Sequence, residues 1–424
     1  MPLHRSTLIR GRGGSSRAHP PLPSRPENRQ DISKTARFSR RMALQAMGAT
    51  AAALALPGMV SSNDKLNQSP GGWLSFRGTP DQRGIASTTL AEQPKLLWEL
   101  PSKDGWVGTC AIAGNFVYAP ALEGYLYCLD RRTGKVVWKY RSIESKDEKE
   151  FAPGFKAAPL IAAGAVFAGD EDGFLHAVDA ETGKPRWSAP FETGAEIAGG
   201  VAFWNDRLIL ASHDSFLYCL SLDGEEIWKF ATQDRINCSP AIVDHFTFVS
   251  GCDSKLHVID IRDGRETLAV EMNDYLIASP AIVNESLYVG SHGGVVTALN
   301  WKTGDVQWRY EGRRQLSIHA SAVATDDLIL VGSHDKIMHA IDRKSGKPRW
   351  TFPTQARIEC SAAVVDQRVF FGSGDGNIYG LSLDSGEEVW KYHAGHPISG
   401  GMAIGEECMV IGEDASNGRL LCFE

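Results

Sequence analysis

The chain lacks most of the patterns that would settle a chemistry at once. None of its eight cysteines are adjacent, and none are spaced C-x-x-C, so a structural zinc ribbon has no ligand pair to build on. No G-x-S-x-G, H-E-x-x-H or Walker sequence occurs, leaving hydrolase, metalloprotease and nucleotide-phosphate chemistry without a motif. Beyond one apolar run ending at Val60, no segment is long and apolar enough to span a membrane as a helix. No cysteine follows that run closely, so a lipid anchor is not supported.

Basic charge is scarce after the leader. Residues 1–60 carry a net charge of +8, whereas the whole chain is −7, leaving about −15 on the remainder. An acidic body argues against nucleic-acid binding and against adsorption to anionic lipid. Residues 1–38 are rich in Pro, Arg, Ser and Gly and too poor in apolar residues to form a core. Residues 39–62 follow as a signal segment. Arg40 and Arg41 precede a moderately apolar stretch, the arrangement of a twin-arginine export signal, with Ala43 where that motif prefers Phe. Ala53-Leu54-Ala55 and the Pro57–Ser62 region are both candidate cleavage sites. Residues 63–93 read as a linker and an opening segment.

What the rest has in abundance is one pattern, A-x-D-x-x-T-G-x-x-x-W. It is written out at Ala177–Trp187 and repeated, with variations, from Cys128 to Trp390. An apolar alternation ends in Asp, a Thr-Gly turn follows, and a Trp closes the next run, which predicts a hairpin. The closing slots are Trp138, Trp187, Trp228, Leu268, Trp308, Trp350 and Trp390, spaced near 40 residues apart except for a first gap of 49. A period of about 40 with several strands per unit signals a β-propeller, whose blades bury their faces only by stacking. Leu268 breaks the series, so its blade is expected to be a weak point of the ring.

Trp98 also stands in a closing slot but has no hairpin partner of its own. The last residues, Arg419–Glu424, align with a third strand and stop where an outer strand is due. The strand near residues 94–100 is therefore expected to complete the last blade. The expected fold is all-β: residues 94–424 form an eight-bladed β-propeller of four-stranded antiparallel blades, closed by an N-terminal strand.

The repeat and the W-x-x-F-R-G-x-P opening at Trp73–Pro80 resemble the PQQ-like (quinoprotein-type) eight-bladed propellers over about residues 73–424. The absence of any Trp-Asp dipeptide sets the chain apart from WD-repeat propellers. The resemblance implies that the repeated Trp, Trp98 included, dock blade against blade. It implies two functional branches. In one, alcohol and sugar dehydrogenases hold pyrroloquinoline quinone and Ca²⁺ at the axis beneath a vicinal disulfide. In the other, propellers such as the lipoprotein subunit of the outer-membrane β-barrel assembly machine are not catalysts. With no adjacent cysteines, no catalytic Asp that transfers and a short chain, the reading here is the second branch: no cofactor, and a protein or glycan partner in the periplasm or cell envelope. Pyrroloquinoline quinone with calcium is the alternative.

Most cysteines sit where other repeats have Ala, Gly or Val, and are expected to be buried free thiols. The least ordinary pattern is polar. The turn between second and third strands carries Glu171, His213, Cys252, His292 and His334. The connection between blades brings Trp106, Lys156, Arg235, Asn237, His319, Arg357 and Glu359 to the same face. These twelve form the candidate binding mouth. His176, His257 and His339 occupy a third-strand slot read as packing. With strands ~4.8 Å apart, equivalent slots in neighbouring blades lie roughly 9 Å apart, so no metal site is assigned. The 49-residue gap inserts a charged loop ending in Phe151-Ala152-Pro153-Gly154-Phe155 on that same face, a further partner contact.

Overall fold

The structure is a computed structural model that describes residues 71–424 apart from positions 146, 148 and 313. Arg40, Arg41 and the signal segment lie outside the described residues. Eight four-stranded antiparallel sheets follow one another around a ring, each ordered innermost to outermost. The first blade is Ala111–Ala113, Phe116–Pro120, Tyr125–Asp130 and Val136–Arg141. Innermost strands are at most three residues long and built mostly from Ala, Ile and Val, because the axis is crowded. Second strands are covered on both faces by neighbouring blades and so read as continuous apolar runs, as in Ala165–Gly169, buried throughout. Outer strands have one free edge and alternate exposed with covered residues, as in Glu226–Ala231.

The ring closes as the sequence predicts. Leu96–Pro101 is the outer strand of the eighth blade, pairing Trp98 with Cys422 and Pro101 with Arg419. Reciprocal backbone bonds between Lys95 and Glu424 end the ladder. The edge of Arg419–Phe423 is thereby covered.

The hairpin turns explain the T-G-x-x-x-W spacing. Asp179 Oδ1 accepts from the Thr182 amide and hydroxyl, while Gly183 turns back at φ 68° to donate to the Asp179 carbonyl. Each docking Trp then reaches into the following blade. The indole N–H of Trp138 donates to the Ala180 carbonyl, and Trp98, Trp187, Trp228, Trp308 and Trp350 do the same to Arg131, Leu222, Ile261, Arg343 and Leu383. Trp390 closes on the Pro94 carbonyl. Trp138 also lies flat over Gly183 of that next blade, where a Cβ would come within 2.6 Å of the ring. The glycine is thus required twice, by its turn and by its neighbour's tryptophan.

The Leu268 seam is not simply short of a ring. Trp301, from the facing turn of the fifth blade, fills it in the opposite direction. Its indole meets Phe246 and Phe248 of the fourth blade at centroid distances of 5.4 and 5.1 Å, and its N–H donates to the Asn284 carbonyl. Leu268 packs in the same cluster. The docking seam of the fourth blade is thus filled, by a ring from the following blade.

The stretch read as a linker and opening segment is built into the ring. Residues 73–86 circle the face opposite the mouth. Carbonyls of Trp73, Leu74, Pro80, Asp81, Arg83 and Gly84 accept from one residue of each of six innermost strands: Ile112, Ile161, Ile242, Ile282, Ala324 and Val364. These amides face the axis and have no strand beyond them, so the segment serves as their common partner. Arg77 is buried beneath, donating to the Ala322 and Ala362 carbonyls. Burial lowers its pKa to about 10.

Candidate functional site

One repeated backbone bond gathers the mouth. The amide of each turn slot donates to the carbonyl of the loop that enters the same blade: Glu171 to Gly154, His213 to Glu196, Cys252 to Arg235, His292 to Tyr275, His334 to Ser317. All lie between 2.9 and 3.0 Å. Turn side chains and those at the starts of innermost strands therefore share one face, as the sequence predicts.

They divide into two clusters. In the first, Lys156 Nζ lies 2.7 Å from Glu171 and 3.2 Å from Glu196, and His213 Nδ1 lies 3.4 Å from Glu196. Partial burial works against the ammonium, but the two carboxylates outweigh it and raise the Lys156 pKa. In the second, His334 Nε2 meets Glu359 Oε1 at 2.9 Å, and Arg357 Nε holds Glu359 Oε2 at 3.2 Å. His319 stands between His292 and His334, with ring centroids 5.8 and 4.3 Å away. Burial first, then the neighbouring His334, lowers the His319 pKa, so this imidazole stays neutral near pH 7. Between the clusters, Asn237 donates to Cys252 Sγ at 3.1 Å, and Arg235 stays in solvent.

Trp106 does not belong to the mouth surface. It is 1% exposed, leaning on Tyr127 and on the backbone at Gly412. Its register is that of Phe155, Ile197, Ile236 and Ile318, the apolar residue just before the axial slot, and it packs inward with them. The spacing estimate also needs correction. Side chains from equivalent strand-start slots of neighbouring blades do meet, His319 Nδ1 lying 3.8 Å from Glu359 Oε1, and with the turn slot of His334 the three donor atoms lie within 4.8 Å of one another.

Below the mouth the axis narrows to a cavity of about 170 Å³ walled by Lys156, Asn237, His319 and small residues, with Phe76 of the circling segment at its floor. A hoop of serines ties its wall from blade to blade: the amides of Gly200, Ser239, Ser279 and Ser321 donate to the hydroxyls of Ser239, Ser279, Ser321 and Ser361. The sequence signal was the recurring Ser after the axial slot.

Two groups of residues were not singled out from sequence. Glu196 joins Lys156 to His213, yet its slot holds Gly, Arg, Tyr, Ser or Pro in other blades and shows no pattern. His176, His257 and His339, read as packing, are buried and also clamp carboxylates: Asp170 at 2.9 Å, Asp253 at 2.8 Å and Asp335 at 3.1 Å. Tyr218 and Tyr379 do the same to Asp214 and Asp375. The D-x-x-x-[HY] spacing of four such pairs was the available signal. All eight cysteines are free, seven of them buried. Burial pushes Cys238 and Cys360 up to about 11, so these behave as small apolar residues.

A family model described as outer membrane protein assembly factor BamB matches residues 82–198, 171–318 and 312–417. Among solved structures, BamB from Moraxella catarrhalis is 17% identical with a TM-score of 0.65, covering 78% of this chain and 97% of that one. A quinohemoprotein alcohol dehydrogenase from Comamonas testosteroni is 11% identical with a TM-score of 0.69, covering 85% and 81%. Identities this low speak for the shared fold alone. The β-alanine-activating enzyme of Mus musculus is 28% identical over 106 residues, 23% of this chain. The aligned region spans about a tenth of the length of the curated relatives it matches. The family-model matches run almost continuously around the ring, and the chain therefore belongs to the family of PQQ-like propellers described as outer membrane protein assembly factor BamB.

Proposed function

We propose that this protein is an exported, non-catalytic platform whose mouth face docks a partner in the cell envelope, a protein rather than a glycan. One observation carries the reading. Around the charged mouth stand three exposed large apolar side chains, all on loops of that face: Phe151 at 77% exposure, Tyr275 at 53% and Leu316 at 44%. Aromatic and apolar anchors beside a polar field on a rigid scaffold are the makings of a protein interface. The basic leader with Arg40-Arg41, and the family's description as an outer-membrane assembly factor, support export and a protein partner.

The experiment is site-specific photo-crosslinking in the native host. A crosslinker at Tyr275 is expected to capture one envelope protein, and a crosslinker at Val137 on the blade flank is not. The adduct should disappear with Phe151→Ser and Leu316→Ser and should form again from purified components. Capture from Val137 alone, or a mouth face that binds glycan but no protein, would overturn the reading.

A second reading, a quinoprotein oxidoreductase, is favoured only by the likeness to quinohemoprotein dehydrogenases. The axial residues do not fit it. The cavity is about 170 Å³, below the roughly 300–1,000 Å³ of small-molecule sites. Calcium takes about 6–8 oxygen ligands, whereas the mouth carboxylates are split, Glu171 and Glu196 held by Lys156 and His213 in one cluster and Glu359 standing in the other.

A further inference from the structure

We propose that His319, His334 and Glu359 form a zinc site with one open coordination position at the axial mouth. The proposal is independent of the docking reading, since it concerns an ion held by this chain alone.

Each ligand is set by a different piece of the ring. His334 lies in the second-to-third-strand turn of the sixth blade, where its amide is bonded to the Ser317 carbonyl. His319 stands in the loop before the innermost strand Val323–Ala324 of that same blade, and Glu359 in the loop before Ala363–Val365 of the seventh. Glu359 Oε1 is the common point, 2.9 Å from His334 Nε2 and 3.8 Å from His319 Nδ1. Tetrahedral zinc bound at about 2.0–2.1 Å separates its donors by roughly 3.3 Å. The two distances to Glu359 Oε1 bracket that value, and all three donors lie within 4.8 Å of one another, so rotations of the three side chains converge them on one ion.

A second observation asks for a ligand. His319 Nδ1 is beyond hydrogen-bond reach of Glu359, and its Nε2 is buried with no partner. A buried imidazole nitrogen without a partner is unfavourable. Among the described residues no hydrogen bond holds this ring, so it can turn and present the orphaned nitrogen to an ion shared with His334 and Glu359. The carboxylate is already oriented, because Arg357 takes Oε2 and leaves Oε1 toward the two rings. Such outer partners commonly fix a metal ligand's direction. Two imidazoles and one carboxylate suit zinc rather than magnesium or calcium, which prefer all-oxygen shells. Three protein ligands leave a fourth position for water or an incoming donor. His292 is stacked on His319.

The test is zinc binding by untagged, chelator-stripped protein, followed by chelator competition and thermal melting. One zinc per chain and a rise in Tm are expected, with no response to Mg²⁺ or Ca²⁺. His319→Ala, His334→Ala and Glu359→Gln should each weaken zinc at least about tenfold. Arg357→Met should weaken it less, and His393→Ala on an outer strand not at all. Should a ligand variant fail to fold, X-ray absorption of the zinc-loaded native chain decides: imidazole and oxygen scattering supports the site, sulfur scattering overturns it. Absence of stoichiometric binding, or binding that survives His319→Ala/His334→Ala and is lost on thiol alkylation, also overturns it.

Discussion

At the scale of single residues, the ring is held by positions that answer one another across a seam. Trp301 and Leu268 are the instructive pair. Elsewhere the indole projects forward over a glycine. Here Trp301 projects backward onto Phe246 and Phe248, so Leu268 has no room to become the consensus Trp. Trp301→Ala should cost about 3–5 kcal/mol, the usual penalty for emptying a large aromatic site. Leu268→Trp alone should also destabilise, through overpacking. The double variant Leu268→Trp/Trp301→Leu should recover much of the loss, because the backbone carbonyl of residue 301 stands where the other seams have their indole acceptor. Denaturant melts of the three proteins measure the coupling, and additive losses would count against it. His257 supplies a pH response. Burial opposes its imidazolium, but Asp253 and Glu266 outweigh burial and raise its pKa above 6.5. Asp253 is likewise buried, yet its bond to His257 holds it below 3.8. The sign follows by linkage. The histidine's contribution is complete below pH 6.5 and fades as pH rises through the folded-state pKa. The aspartate's is present above pH 3.8 and fades as pH falls through its own. The Tm difference between wild type and His257→Gln should therefore be largest between about pH 4 and 6.5 and shrink toward pH 9. Parallel Tm curves would contradict the assignment.

At the scale of elements, two N-terminal segments do different work. Leu96–Pro101 closes the sheet of the last blade and carries Trp98 into the first. Residues 73–86 instead satisfy the axial amides and floor the cavity. Removing residues 1–100 should expose the edge of Arg419–Phe423 and lead to aggregation or a loss of several kcal/mol. Removing only residues 1–86 should leave a closed, folded ring that melts earlier and exchanges the amides of Ile112, Ile242 and Val364 faster. A full-stability chain starting at residue 101 would contradict the closure argument. The two segments also mark how far the sequence could be read. Closure was legible because the last strand and Trp98 each lacked a partner that only the other supplied. The docking Trp and the shared mouth face were legible because they repeat. The circling segment obeys no repeat, so Arg77 and its carbonyl partners had no earlier counterpart to be compared with. Trp106 was misplaced by one register position. The loop before it is polar and its ring is large, while what decides its direction is packing on the neighbouring blade at Gly412. The approach of His319, His334 and Glu359 was hidden for a related reason: strand spacing fixes backbones, whereas long side chains cross the remaining distance.

At the scale of the whole molecule, the axis has one open end. The segment carrying Phe76 and Arg77 closes the far face, and the serine hoop binds neighbouring blades below the mouth. Any axial ligand must therefore enter through the mouth and fit above Phe76. A resident quinone with calcium would have to displace the Lys156 and Arg357 pairs to reach carboxylate oxygens, exchanging formed ion pairs for new ones in a cavity of about 170 Å³. A ligand that binds only the folded state stabilises by RT ln(1 + [L]/Kd), about 2.7 kcal/mol at a hundredfold excess over Kd, which a melting experiment resolves easily. The expected outcome with pyrroloquinoline quinone and Ca²⁺ together is an unchanged Tm and no dye-linked alcohol or sugar oxidation. A clear upward shift accompanied by turnover would replace the docking platform with an oxidoreductase. It would also require the floor at Phe76 to move, so the same titration on Phe76→Ala tells the two cases apart. An enzyme limited by space would gain affinity from the larger cavity, whereas a platform whose mouth charges are already paired would stay indifferent.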